Sequence, residues 1–274
     1  MADEVVTLIH HIELNIFKEF AHIANRHHIN YFAMGGTMLG AVRHQGFIPW
    51  DDDMDVGMVR SDYDHFLKVA KKELEPTHYF LQTPWTDDNY ALSYAKLLDR
   101  NTFIEEKNNV NNARKGVFLD IFPLDKIPDS TARQRRQILD IRRLDSRIYL
   151  KLRYNIIDNP IRKFQNPLSE AQVETADDYK KDREEIMRMY NDKPALMNVK
   201  NLASQYSYEK EILNLDQLND MIDLPFEDTH IPVPADYDTI LTRIYGHYME
   251  LPPENARTEK HIVRLITDNQ EFEL

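Results

Sequence analysis

Seven glycines serve a chain of 274 residues, and five of them, Gly35, Gly36, Gly40, Gly46 and Gly57, fall between positions 35 and 57. Backbone freedom is concentrated there, so the tightest bends available to the chain surround one short segment. That segment contains FIPWDDDMDV (47–56), which sets Asp51, Asp52, Asp53 and Asp55 directly behind Pro49 and Trp50. Like charges this close disfavour one another, so the arrangement needs either full solvation or a cation.

Around the glycines, Tyr31 to Met34 reads as a short strand and Thr37 to about His44 as a helix, with Gly35 and Gly36 between them. A glycine pair there lets backbone N–H groups approach an anion, aided by the helix N-terminus, although a tight turn alone would also select glycine. A strand from about Asp53 to Val59 projects Asp53 and Asp55 from one face, roughly 7 Å apart, and turns Met54 and Val56 to the core. Two such carboxylates can converge on one or two divalent ions, and oxygen-only ligation favours Mg²⁺ or Mn²⁺ over zinc.

A third acid stands in KGVFLDIFPLD, where Asp120 interrupts an apolar strand over Val117 to Phe122. It is a metal ligand or a structural hydrogen-bonding residue, because a buried carboxylate needs a partner. Asp125, after Pro123, reads as a turn residue. Asp51, Asp53, Asp55 and Asp62 also occupy ligand places of a calcium loop. Val56 holds the place that needs glycine and Asp62 the place of the bidentate glutamate, so an EF-hand is set aside.

Composition bounds the rest. With 42% hydrophobic residues the chain can bury a core, and a net charge of −12 argues against non-specific binding to nucleic acid. The absence of cysteine excludes disulfides, thiolate nucleophiles and Cys-ligated metal sites. The acidic N-terminus does not look like a signal peptide, and no apolar run approaches the ~20 residues of a bilayer span. The chain is expected to be cytoplasmic, or peripheral at the inner membrane face.

Val5, Leu8, Ile9, Ile12, Ile16, Phe20 and Ile23 predict an amphipathic helix over 4–28, with His10, His11, His22, His27 and His28 on its surface. A helix from Ser61 to Leu74 and strands at His78–Gln82 and Leu92–Leu98 complete an α/β or α+β order. The expected division is a catalytic core at 1–127 and a mainly helical lobe at 128–274, with loops at 155–167 and 223–236. In 131–163 ten basic residues oppose three acids on a helical apolar period, a local +7. That face is either simply solvated or a docking surface for a phosphate-bearing polymer or anionic lipid.

GGTMLGAVRHQGFIPWDDDMDVG (35–57) strongly resembles the signature of the LicD family, which includes phosphocholine transferases of bacterial surface glycans, and more distantly a stretch of fukutin-related protein. The likeness continues through YAKLLDRNTFIE (94–105), GVFLDIFPLDKIP (116–128) and, weakly, YGHYMELPPENAR (245–257) followed by His261, with His247 where an acid is expected. The resemblance implies a nucleotidyltransferase-like mixed sheet flanked by helices. Gly35, Gly36 and Thr37 would form the substrate-binding turn, and Asp53, Asp55 and Asp120 the catalytic, metal-holding carboxylates. Asp51 would stand behind them and Asp52 in solvent. Arg43, His44 and Lys96 would contact donor phosphates or else pair with the aspartates.

The implied reaction moves phosphocholine, or a similar phospho-alcohol, from a CDP-linked donor to a glycan or glycolipid acceptor with Mg²⁺ or Mn²⁺. Asp120 serves as base or as ligand. Trp50, Trp85, Tyr90 and Tyr94 would offer aromatic faces to choline or else belong to the core. A nucleotide-sugar transferase, a nucleotidylyltransferase and a non-catalytic nucleotide- or glycan-binding module remain the alternatives.

Overall fold

The structure is a computed structural model that describes residues 2–106, 111–154, 169–204, 206–257 and 262–273. Helix α1 (Ala2–Arg26) is followed by β1 (Phe32–Ala33), α2 (Gly35–His44), β2 (Asp55–Val59), α3 (Arg60–Glu73), β3 (Tyr79–Gln82), β4 (Ala95–Asp99), β5 (Thr102–Glu106) and β6 (Phe118–Lys126). Next come α4 (Thr131–Lys151), α5 (Glu170–Arg188), β7 (Asn198–Asn201), β8 (Leu213–Asn214), β9 (Met221–Phe226), β10 (Thr229–Pro234), α6 (Tyr237–Tyr245), β11 (Ile262–Thr267) and β12 (Gln270–Glu273).

The central sheet runs β1-β2-β6-β4-β3, extended by β7 and β8 to seven strands. β2 and β6 are parallel, which requires a long crossover between them; α3 to β5 supply it. The neighbouring pairs are antiparallel, and the mixed sheet with flanking helices is the expected fold class. Leu124 pairs with Val59 on one side and with Asn201 on the other, so β7 takes over the edge of β6 where β4 has ended.

α1 and α3 pack against each other and against the sheet, with Phe20 4.7 Å from Phe66 between ring centroids. α1 buries Val5, Ile9, Ile16, Phe17, Phe20, Ile23 and Ala24 at helical spacing. Burying each large apolar side chain stabilises the fold by ~1.5–3 kcal/mol, which is why this stripe forms the inner face.

Several expectations change. β2 begins at Asp55, not Asp53, because a turn closed by Asp51 N–H to the Ile48 carbonyl holds Asp51 to Asp53 outside the ladder. β6 continues through Pro123, which falls in the gap between the β4 and β7 pairings. Asp125 is therefore a strand residue: fully buried, it is neutralised by Arg60 through Nε and Nη2 and receives Asn191 Nδ2. Residues 223–236 are not a loop but lie mostly in the β9–β10 hairpin, whose two strands each leave one edge open for the prolines.

α4 and α5 supply helix after residue 128, and from Asn198 the chain returns to strand: β7 joins the central sheet and β11 pairs with β5. The loop expected at 155–167 lies entirely outside the described residues, as do Arg162, Lys163 and His261.

Candidate active site

The parallel register of β2 and β6 sets Asp55 directly opposite Asp120, and the antiparallel register of β4 sets Lys96 opposite Asp120 from the other side. With strands ~4.8 Å apart, Asp55, Asp120 and Lys96 form a straight row of charge across three strands. Lys96 Nζ lies 3.0 Å from Asp120 Oδ1 and 3.8 Å from Glu106 Oε1, and 3.1 Å above the centroid of the Phe118 ring. Asp53 follows the turn just before β2, within electrostatic reach of both Asp55 and Asp120.

The row is costly to charge. Burial pushes the Asp55 carboxyl well above the usual carboxylate range, and Asp53, Asp120 and Asp51 add to the rise while Lys96 opposes it. Burial likewise lifts Asp120 to about 7 although the Lys96 ammonium pulls it down. Burial alone would lower Lys96, but Asp120 and Glu106 outweigh it and keep the ammonium charged. Such a set of partly compensated oxygens suits a hard divalent cation in donor chemistry. Among the described residues, however, no three acid or histidine side chains are spaced to hold a metal ion.

The Gly35–Gly36 turn meets the same acids. Gly35 opens α2 at φ +50°, where a side chain is strained, and a Cβ on it would stand 3.3 Å from Asp55 Oδ2 and 3.8 Å from the Tyr245 hydroxyl. A Cβ on Gly36 would stand 2.6 Å from Asp51 Oδ2. Thr37 Oγ1 accepts the Asp55 backbone N–H at 2.8 Å. The N-terminus of α2 thus faces Asp51 and Asp55, a favourable partner for negative charge.

Arg43 and His44 stand at the other end of α2, about 12 Å of helix axis from Gly35. Arg43 donates to the Tyr248 carbonyl at 2.8 Å and to His44 Nε2 at 3.0 Å, tying α2 to the segment after α6. The aromatic faces beside the row belong to Tyr94 and Phe118. Tyr90 is buried, Trp85 is an exposed surface residue, and Trp50 carries the Arg257 guanidinium 5.2 Å from its ring.

Two of the expected surroundings are different. Asp52, expected in solvent, is fully buried, and its Oδ2 accepts the Ile262 N–H at 2.7 Å because the β11–β12 hairpin closes over the acidic turn. His10, expected at the surface, stacks on Phe47 at 4.2 Å and donates from Nε2 to the Asp51 carbonyl at 2.7 Å.

Sequence reasoning passed over Glu13, Glu106, Tyr154 and Tyr245. Glu13 is fully buried on α1, and neither carboxyl oxygen has a hydrogen-bond partner among the described residues. Burial drives its pKa well up, with Asp53, Asp52, Asp51 and Asp55 adding to the rise, so it lies under the acidic turn. Its signal was present: an acid at position 13 continues the spacing of Val5 and Ile9 into Phe17. Tyr154 and Glu106 carried no local pattern; the Tyr154 phenol is raised mainly by burial, then by Glu106, with Asp120 also contributing.

Residues 28–142 match the nucleotidyltransferase domain described for LicD, FKTN and FKRP. Across 258 residues the chain is 30% identical to the lipopolysaccharide cholinephosphotransferase LicD of Haemophilus influenzae, covering 91% of this chain and 93% of that protein. It is also 32% identical over 114 residues to an uncharacterised protein of Rickettsia prowazekii, covering 42% of this chain and 39% of that protein. The acidic turn, the Gly35–Gly36 turn and the row Asp55–Asp120–Lys96 all fall inside the matched domain, whereas Glu13, Tyr154 and Tyr245 lie outside it.

Proposed function

The chain belongs to the LicD family, and on that premise we propose that it transfers phosphocholine, or a similar phospho-alcohol, from a CDP-activated donor to a cell-surface glycan. Lipopolysaccharide, teichoic acid or a precursor of either is the acceptor class. The observation that carries the reading is the near full-length likeness to a cholinephosphotransferase, with the row Asp55–Asp120–Lys96 inside the shared domain.

Asp55 and Asp120, opposite one another on β2 and β6, and Asp53 in the turn before β2 are the carboxylates that would draw together on Mg²⁺ or Mn²⁺, since they are not spaced as a ready-made site. Bound there, the ion would offset the charge of the donor pyrophosphate. Thr37 fixes the backbone of Asp55, and the positive φ at Gly35 keeps the space over that carboxylate free of a side chain. Lys96 holds Asp120 in place and brings a positive charge to the same face, where developing phosphoryl charge would meet it. As the acceptor oxygen bonds to phosphorus the bond to CMP breaks, and Asp120 either takes the acceptor proton or acts as a ligand.

The test is a donor screen by thermal stabilisation with and without Mg²⁺, followed by turnover assays. CDP-choline, CDP-ribitol or CDP-glycerol should stabilise the protein only with the metal. The Asp53→Asn, Asp55→Asn double variant should lose turnover by at least ~100-fold, the scale of several kcal/mol of charge stabilisation. Full turnover in that variant, or a response to UDP-sugars alone, overturns the proposal.

A further inference from the structure

The outward face of α4 has no role in the proposed transfer, yet it combines arginines with exposed leucines. The inner face of α4 buries Gln137, Ile141, Leu144 and Ile148, and Gln137 Nε2 donates to the Ile186 carbonyl of α5. On the other side Arg135, Leu139, Arg142, Arg143, Arg147 and Leu150 are exposed. Leu139 is 51% exposed and Leu150 is 82% exposed. Eleven residues apart, the two leucines return to nearly the same face of the helix.

Among the described residues the charge of this face is not compensated. α4 carries seven basic residues against Asp140 and Asp145, in a chain of net charge −12. Asp140 is already engaged by Arg136 at 2.6 Å and Arg143 at 3.3 Å, and Asp145 by Arg183 of α5 at 2.7 Å. Arg133, Arg135 and Arg142 make no ion pair with the described residues. The neighbouring α5 exposes the opposite sign, at Glu174, Asp178, Asp182 and Glu185. The two neighbouring helices thus differ in charge, and α4 is the basic one.

A merely solvated face explains the arginines but not two protruding leucines among them, since water is the least favourable surrounding for a side chain as exposed as Leu150. Arginine heads with leucines between them match a phosphate-bearing surface that has an apolar layer just below it. A soluble phosphate polymer offers the first and not the second. α4 also leads directly to Tyr154, whose phenol feels Glu106 and Asp120 and whose ring lies 5.0 Å from Tyr149 of α4. The C-terminal end of the basic helix therefore abuts the candidate site.

We propose that the exposed face of α4, centred on Arg135, Leu139, Arg142 and Leu150, docks the protein on an anionic lipid bilayer. The arginines meet lipid phosphates and the leucines enter the headgroup boundary, with the helix lying in the plane of the surface. This placement does not depend on the transfer reaction, and binding tests it without any activity measurement.

The experiment is co-sedimentation of the full chain with vesicles of phosphatidylglycerol and phosphatidylcholine, with pure phosphatidylcholine vesicles and soluble polyphosphate alongside. The chain should bind the anionic vesicles and leave the neutral ones in the supernatant. Arg135→Gln with Arg142→Gln should weaken binding about 30-fold, the scale for two arginines near an anionic surface. Leu139→Ser with Leu150→Ser should remove the binding that survives high salt. Circular dichroism of each variant should match the parent, because none of these side chains is buried or paired. Equal partition to both vesicle types, unchanged binding by the arginine variant, or binding to polyphosphate with none to vesicles overturns the proposal.

Discussion

A carboxyl without a partner inside an apolar stripe destabilises the fold that contains it, and Glu13 has none among the described residues. Mutational data place the burial of an unsatisfied polar group at ~1–3 kcal/mol. Glu13→Met keeps the volume and removes the cost, so with EDTA present it should be more stable than the parent by at least that amount near neutral pH. The sign with pH follows from the raised folded pKa: the folded state retains a proton that the unfolded chain releases above its ordinary value of 4.5. Stability is therefore lost as pH rises from that value, so the variant's advantage should be smallest near pH 4, where it reflects only the unpartnered neutral carboxyl, and should grow toward pH 7 in urea titrations. An equal difference at both pH values would show that Glu13 is not the buried acid described. At this scale the acidic turn was legible because its charge density stands out locally. Pairing of Lys96 with an aspartate was one of two readings, but that the partner is Asp120 was not legible, because it depends on which strand lies beside which and in what register. Asp52 misled for the same reason: its partner is the amide of Ile262, 210 positions away.

Among the elements, α1, α2, α3 and β2 were legible from periodicity and glycine placement, each within a few residues. β7 to β12 were not. β8 has two residues, β9 and β10 contain three prolines between them, and β7 and β11 gain their order from β6 and β5 rather than from their own pattern. The element boundary that matters most is the start of α2. Gly35 takes φ +50° there, with Asp55 Oδ2 and the Tyr245 hydroxyl where a side chain would grow. Gly35→Ala should cost ~1–2 kcal/mol for the left-handed backbone alone. It should also displace the Asp55 carboxylate, so turnover should fall by more than the lost stability explains. Gly46→Ala, whose Cβ would meet the Glu227 carboxyl that accepts the Phe47 N–H, is the control for an insertion away from Gly35. Equal effects of the two substitutions on turnover would remove Gly35 from the site.

At the scale of the whole molecule, the acidic turn is enclosed by parts of the chain that are remote in sequence. α1 lies beneath it through Glu13 and His10, and the β11–β12 hairpin closes it through Asp52. Among the described residues that hairpin pairs along one edge, with β5, whose Glu106 approaches Lys96. The buried hydrogen bond from the Ile262 amide to the Asp52 carboxylate, worth ~1.5–3 kcal/mol, therefore ties the order of the last strands to the turn that carries Asp53. Asp52→Ala should leave the central sheet intact while the hairpin opens more often. The Ile262 amide and those of β11 paired with β5 should exchange with deuterium roughly 10- to 100-fold faster, and the β2–β6 amides at the parental rate. Asp52→Asn, which keeps an acceptor oxygen, should restore most of the protection. If β2 and β6 lose protection together with β11 in Asp52→Ala, the hairpin is part of one cooperative core and Asp52 acts on global stability instead of on a local closure.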